Sequence, residues 1–240
     1  MKIFKSLQIR HFIYTLILLI FLSCSDDGEV NIELDEYDIE VISYFKEIAL
    51  GFEFGTSSEI TRKWCSDLKI FIGGDISNDL NVELNNIVNE ISSLVTDNFS
   101  LQIVNDSSQS NFYIFYGSGY GYSKIFPSQA NYVDSNWGLF SVRWNASNCL
   151  TRGNMYVDIY RANTIELRHL LREELTQSLG LAKDSFKYPN SIFQSSWTQT
   201  LNYMEIDKDL IRLLYHPNMS TGLNATAVED VLRNILLSEK

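Results

Sequence analysis

Apolar and polar positions repeat along this chain with two periods, near four residues and near two, and the switches between them mark out the elements. Over residues 79–96, Leu80, Leu84, Ile87, Ile91 and Leu94 recur at helical spacing, with Asn78 or Asp79 as the cap. A second helix is predicted over residues 164–180. There Leu167, Leu171, Leu175 and Leu179 fall four apart with Leu170 beside them, and Asn163 caps the start with Glu166 three residues on. Gly180 stops it. Short apolar runs at 68–72, 101–104, 111–116, 139–144 and 155–160 predict strands. Residues 117–122 read as a loop, and residues 41–52 as a helix or an extended arm. The order strand–helix–strand–strand–strand–strand–helix predicts an α/β (α+β) domain with a mixed sheet of about five strands and a mostly helical C-terminal part.

The first residues follow a different pattern. Lys2, Lys5 and Arg10 precede an apolar run over residues 12–22, shorter than a membrane span, as in a secretory signal. The run ends in Phe21-Leu22-Ser23-Cys24, which resembles a bacterial lipobox. That resemblance implies lipid on Cys24 and an anchor in the outer membrane, facing the periplasm or the outside. The acidic run Ser25-Asp26-Asp27-Gly28-Glu29 resembles the surface-export signal of Bacteroidetes lipoproteins. The expected organisation is a signal peptide over 1–23, an acidic tether over 24–40 and a single domain over 41–240.

Charge narrows the partners. The whole chain carries a net −11, and removing Lys2, Lys5 and Arg10 with the signal leaves 16 basic against 30 acidic side chains. A nucleic-acid partner, which needs a basic face, is not expected. Two further cysteines, Cys65 and Cys149, are either bonded to each other or separately buried; their spacing fits no metal knuckle.

Candidate chemistry sits on the 164–180 helix. His169, Glu173 and Gln177 fall four apart, opposite the Leu171/Leu175 stripe, so one half of the helix packs and the other presents polar groups. The stretch Glu173-Glu174-Leu175-Thr176-Gln177-Ser178-Leu179-Gly180-Leu181-Ala182-Lys183 resembles the active-site helix of the metzincin zinc peptidases, H-E-x-x-H-x-x-G-x-x-H. Glu174 and Gly180 are kept, while the three histidine positions hold Glu173, Gln177 and Lys183. Ser191-Ile192-Phe193 resembles the family's S-I-M turn, with Phe193 at the methionine. Asp207 and Leu213-Leu214-Tyr215 resemble the helix that follows. EELTQSLGL, NSIF and RLLY together also resemble an uncharacterised family of bacterial secreted proteins and lipoproteins. The resemblance implies a zincin-type sheet whose strand before last, here residues 138–145, lies at the edge and pairs with an extended peptide.

The chain past the signal has only His169 and His216, so a three-histidine zinc site is excluded. The expectation is a pseudo-peptidase with no cofactor, binding a peptide or protein ligand in the old cleft. The alternative is an active metal-dependent hydrolase in which Glu173, Gln177 and Asp184 or His169 hold a hard cation and Glu174 is the base. Against it, an amide is a weak ligand and Lys183 would repel a cation. A third reading is a glycan-binding lipoprotein using loop aromatics such as Tyr120 and Trp137. The bland readings are an ion pair of Glu174 with Arg161 or Arg143, core packing for Phe193, a helix cap for Asp207 and an exposed turn for His216.

Overall fold

The acidic stretch assigned to a tether ends before Val41. The computed structural model describes residues 33–54 and 57–240, and the expectations for residues 1–23 and for Cys24 lie outside them. Helix α1 (Glu36–Ala49) begins inside the stretch because its acids are caps. Asp35 accepts from the Asp38 N–H, and the Asp38 carboxylate accepts from the Asp35 N–H. Lys240 holds both carboxylates, at 2.8 and 2.7 Å. Val41, Ile42, Phe45 and Ile48 then bury one face of α1 against α5 (Glu205–Leu214) and α6 (Ala225–Ser238). Residues 34–240 form one compact unit.

The sheet has six strands among the described residues. They are β1 (Lys63–Trp64), β2 (Leu68–Gly74), β3 (Leu101–Val104), β4 (Phe112–Gly117), β5 (Gly138–Trp144) and β6 (Cys149–Asp158). The order β1-β6-β4-β2-β3 is parallel throughout, and β5 adds antiparallel to β6, from Gly138↔Val157 to Trp144↔Leu150. β4 is a continuous apolar run covered on both faces, while β2 buries Leu68 and Ile70 on one face and exposes Lys69 on the other. Ile114, Met155 and Val157 join the main core under α2 (Asn78–Leu94) and α4 (Thr164–Gln177). Their neighbours Phe115 and Tyr156 point the other way, into a smaller core with Tyr122, Val133 and Leu139.

Several expectations need correction. Residues 117–122 are not a loop: Gly119–Ile125 is helix α3, capped by Ser118. Glycines at 119 and 121 erase the apolar periodicity there. α2 is capped by Ser77 rather than by Asn78 or Asp79. β6 starts at Cys149, six residues before the expected strand, and the two-residue β1 went unpredicted. Cys65 and Cys149 are bonded to each other.

α4 follows its pattern closely. Asn163 accepts from the Ile165 and Glu166 N–H groups, and Glu166 accepts from the Asn163 N–H. Leu171, Leu175 and Leu179 are fully buried. Arg172, also buried, binds Glu83 and Glu90 of α2. Gly180 takes φ +117°, where a side chain is strained. A Cβ there would lie 2.0 Å from the Arg62 carbonyl oxygen, so the chain turns beneath β1 only with glycine.

Candidate functional site

β5 pairs on one side only. The Asp158 N–H donates to the Trp137 carbonyl, and antiparallel alternation then turns the N–H and C=O groups of Gly138, Phe140 and Val142 away from β6. That unpaired edge and the polar face of α4 line one cavity of about 970 Å³. The loop before β5 is fastened by Arg161, which binds Asp158 and donates to the carbonyls of Val133, Asp134 and Asn136.

Aromatic groups wall the cavity. Phe52 stacks on Trp144 at 5.2 Å, and Phe54 meets Tyr132 at 5.9 Å. Trp137 and Trp197 meet edge to face at 5.2 Å. The Phe52–Phe54 segment is set in place by the Glu53 N–H, which donates to the Ala182 carbonyl. Of the aromatics named for glycan binding, Trp137 lines the cavity, while Tyr120 is exposed on α3 and does not.

The helical spacing does bring His169, Glu173, Glu174 and Gln177 to the cavity, and Asp184 joins them from beyond the helix. Gln177 donates to Asp184 at 2.5 Å. His169 Nδ1 lies 2.8 Å from the Thr200 carbonyl, so Nδ1 carries the hydrogen. Its Nε2 then accepts, from Thr198 Oγ1 at 3.2 Å, with Glu173 Oε2 3.3 Å away. Glu174 accepts from the Phe140 N–H and presses against Gly138, where a Cβ would sit 2.6 Å from its carboxyl.

Two placements differ from expectation. Lys183 turns out of the cavity, against Gly51 and toward Glu59 at 3.2 Å, so it sets no charge in the cleft. Among the described residues Glu174 forms no ion pair: Arg161 is taken by Asp158, and no salt bridge joins Glu174 to Arg143. Asp184, one residue past the frame position, enters instead.

Burial raises the Glu173 and Glu174 carboxyls well above the ordinary range, and the nearby Asp184 and Glu53 add to the shift. Burial raises Asp184 and Glu53 as well. It lowers His169, which is therefore neutral. A neutral Nε2 facing an oxygen at 3.3 Å is accommodated when the Glu173 carboxyl holds a proton.

The 191–193 turn is tied to the start of α5 by hydrogen bonds. The buried Asp207 carboxylate accepts from Ser191 Oγ at 2.6 Å, from the Ile192 N–H and from the Met204 N–H. Phe193 is fully buried. Asp207 caps α5, as expected, and holds the turn as well; His216 is half-buried.

A zinc ion does not fit this donor set. Gln177 and Asp184 are bonded to each other, and His169 Nδ1 is committed to a carbonyl. Among the described residues no three His, Cys, Asp or Glu side chains are placed to share one ion. The sequence reading missed Glu53 and the aromatics Phe52, Phe54 and Trp197. They lie far from the motif along the chain, and no local pattern marks them.

The chain matches the family described as "Protein of unknown function (DUF2927)" over residues 38–234. No curated protein matches it. Among solved structures it is similar to myroilysin, at 12% identity over 64% of this chain and 95% of that one, with a TM-score of 0.39.

Proposed function

The chain belongs to the DUF2927 family, whose function is unknown, and we propose that it is a pseudo-peptidase: a metzincin-like domain that has lost its zinc ligands and binds extended peptide segments. One observation carries the reading. The unpaired edge of β5 faces the polar side of α4 across the cavity, so a peptide laid along β5 finds backbone partners on one side and side-chain pockets on the other. Phe140 N–H is already held by Glu174, which leaves the Gly138 and Val142 N–H groups and the outward carbonyls as partners. The frame around Glu174 and Gly180 supports descent from a hydrolase, and the changed ligand positions support loss of the metal.

The proposed setting is the cell envelope, with lipid on Cys24 anchoring the domain in the outer membrane. A Cys24→Ala variant recovered with the membranes as fully as the unmodified protein would end that part. Among the described residues no helix is long and apolar enough to cross a membrane.

The binding function is tested by selecting random octapeptides on the immobilised protein and repeating the selection with Val142→Pro. Proline removes one outward N–H and leaves the β6 ladder intact. Loss of that bond and its local register should weaken the selected peptides about tenfold. Peptides that bind Val142→Pro equally well would overturn the edge-pairing reading.

A further inference from the structure

We propose that the cleft selects a segment carrying a lysine or arginine side chain, its aliphatic stem against the aromatic walls and its cationic head among Glu173, Glu174 and Asp184. The proposal rests on the peptide-cleft reading and names the side chain that the cleft takes.

Charge and shape both point to it. Glu53, Glu166, Glu173, Glu174 and Asp184 line the cavity, and among the described residues no lysine or arginine does. Arg143, between the lining residues Val142 and Trp144, is exposed and stays outside the cavity, and four other basic groups are committed elsewhere. Arg161 binds Asp158, Arg172 binds Glu83 and Glu90, and Lys183 binds Glu59. Arg62 binds Ser58 and lies over Trp144 and Phe52. Glu174 is only 9% exposed, yet among the described residues it meets a single protein donor, the Phe140 N–H, and no cation. A buried carboxyl in that position lacks its natural counter-charge.

The cavity is also layered. Its walls are aromatic faces and edges, including the 55%-exposed Trp197, while carboxyls cluster on α4 and at Asp184. Lysine and arginine have the same layering, an apolar stem below a charged head. Aromatic faces attract cations in addition. An acidic side chain would face five carboxyl groups, and an apolar one would leave them without a cation.

The experiment titrates the protein with four octapeptide pools, acetylated and amidated, random except for a fixed central residue: lysine, arginine, norleucine or glutamate. The lysine and arginine pools should bind at least about tenfold tighter than norleucine, and glutamate weakest. In Glu173→Gln/Glu174→Gln the lysine-to-norleucine ratio should fall about fivefold or more. Should that variant fold poorly, the same ratio is followed in the unmodified protein from about pH 8 to about pH 5. It should fall as Glu53 beside residues 182–184, Glu173 and Glu174 on α4, and Asp184, whose carboxyls burial raises, take up protons; Glu166 faces the same cavity from α4. His169, gaining charge, acts in the same direction. Lysine and norleucine pools that bind alike would overturn this inference and leave the peptide cleft standing. If none of the four pools binds, the cleft reading falls and this inference with it.

Discussion

At the scale of single residues, the buried acids of α4 define how the protein responds to pH. Glu173 and Glu174 keep protons in the folded state that the unfolded chain releases, because burial and their neighbours raise both carboxyls. The folded form therefore binds more protons than the unfolded one above about pH 4.3, and stability falls as pH rises through that window. His169 acts in the opposite sense: its lowered value removes stability as pH falls below about 6.5. Glu173→Gln/Glu174→Gln should melt higher than the unmodified protein near pH 8, with the gap closing toward about pH 4.5. Thermal unfolding at the two pH values checks this, and a gap that widens toward acid would refute the assignment. The frame of these residues was readable in the sequence, since i, i+4 spacing on an amphipathic helix fixes which side chains share a face. The directions of Lys183 and Asp184 were not. They follow the helix end, where the turn at Gly180 and the bond from Lys183 N–H to the Ile48 carbonyl decide what points inward.

At the scale of elements, α4 is held at its angle by charge as well as by leucines. Arg172 is almost fully buried, its guanidinium 2.6 Å from Glu90 and 3.0 Å from Glu83, over the Tyr203 ring at 4.7 Å. Removing the arginine would leave a mostly buried Glu83 facing α4 without its counter-charge. The expected loss for Arg172→Ala is about 3 kcal/mol, at the low end for a buried pair because Glu90 is partly solvated. Urea unfolding measures it; a loss below about 0.5 kcal/mol would show that leucine packing alone positions the helix. Long elements with a clean period, α2, α4, β2 and β4, were legible for that reason. The misread elements lack such a period. α3 carries Gly119 and Gly121, and the first half of β6, Cys149–Asn154, mixes polar residues into a strand that pairs with the exposed end of β5. α1 was shortened because Asp35, Glu36 and Asp38 look like a solvated acidic run until their capping bonds are seen.

At the scale of the whole molecule, the Cys65–Cys149 bond ties β1 to the start of β6, closing a loop across 84 residues that holds β2, α2, β3, β4, α3 and β5. The sequence alone left the pairing open because it does not give distances. The register resolves it: Lys63 stands beside Cys149 in parallel pairing, which brings Cys65, two residues on, to the same end of β6. Such a loop contains the sheet's edge strand and most of one wall of the cleft, so the bond restricts the unfolded chain over the same region that forms the site. A loop of this length corresponds to about 4–5 kcal/mol from chain entropy, and measured bonds usually give about 2–4 kcal/mol. Cys65→Ser/Cys149→Ser should therefore lower the urea midpoint by an amount equal to about 2–4 kcal/mol over the slope. The slope itself should rise, because the unfolded chain, freed of its cross-link, exposes more surface. An unchanged midpoint would mean that β1–β6 pairing and the leucine core hold this end of the sheet without the bond. A lower midpoint with retained peptide binding would place the bond's role in stability rather than in shaping the cleft.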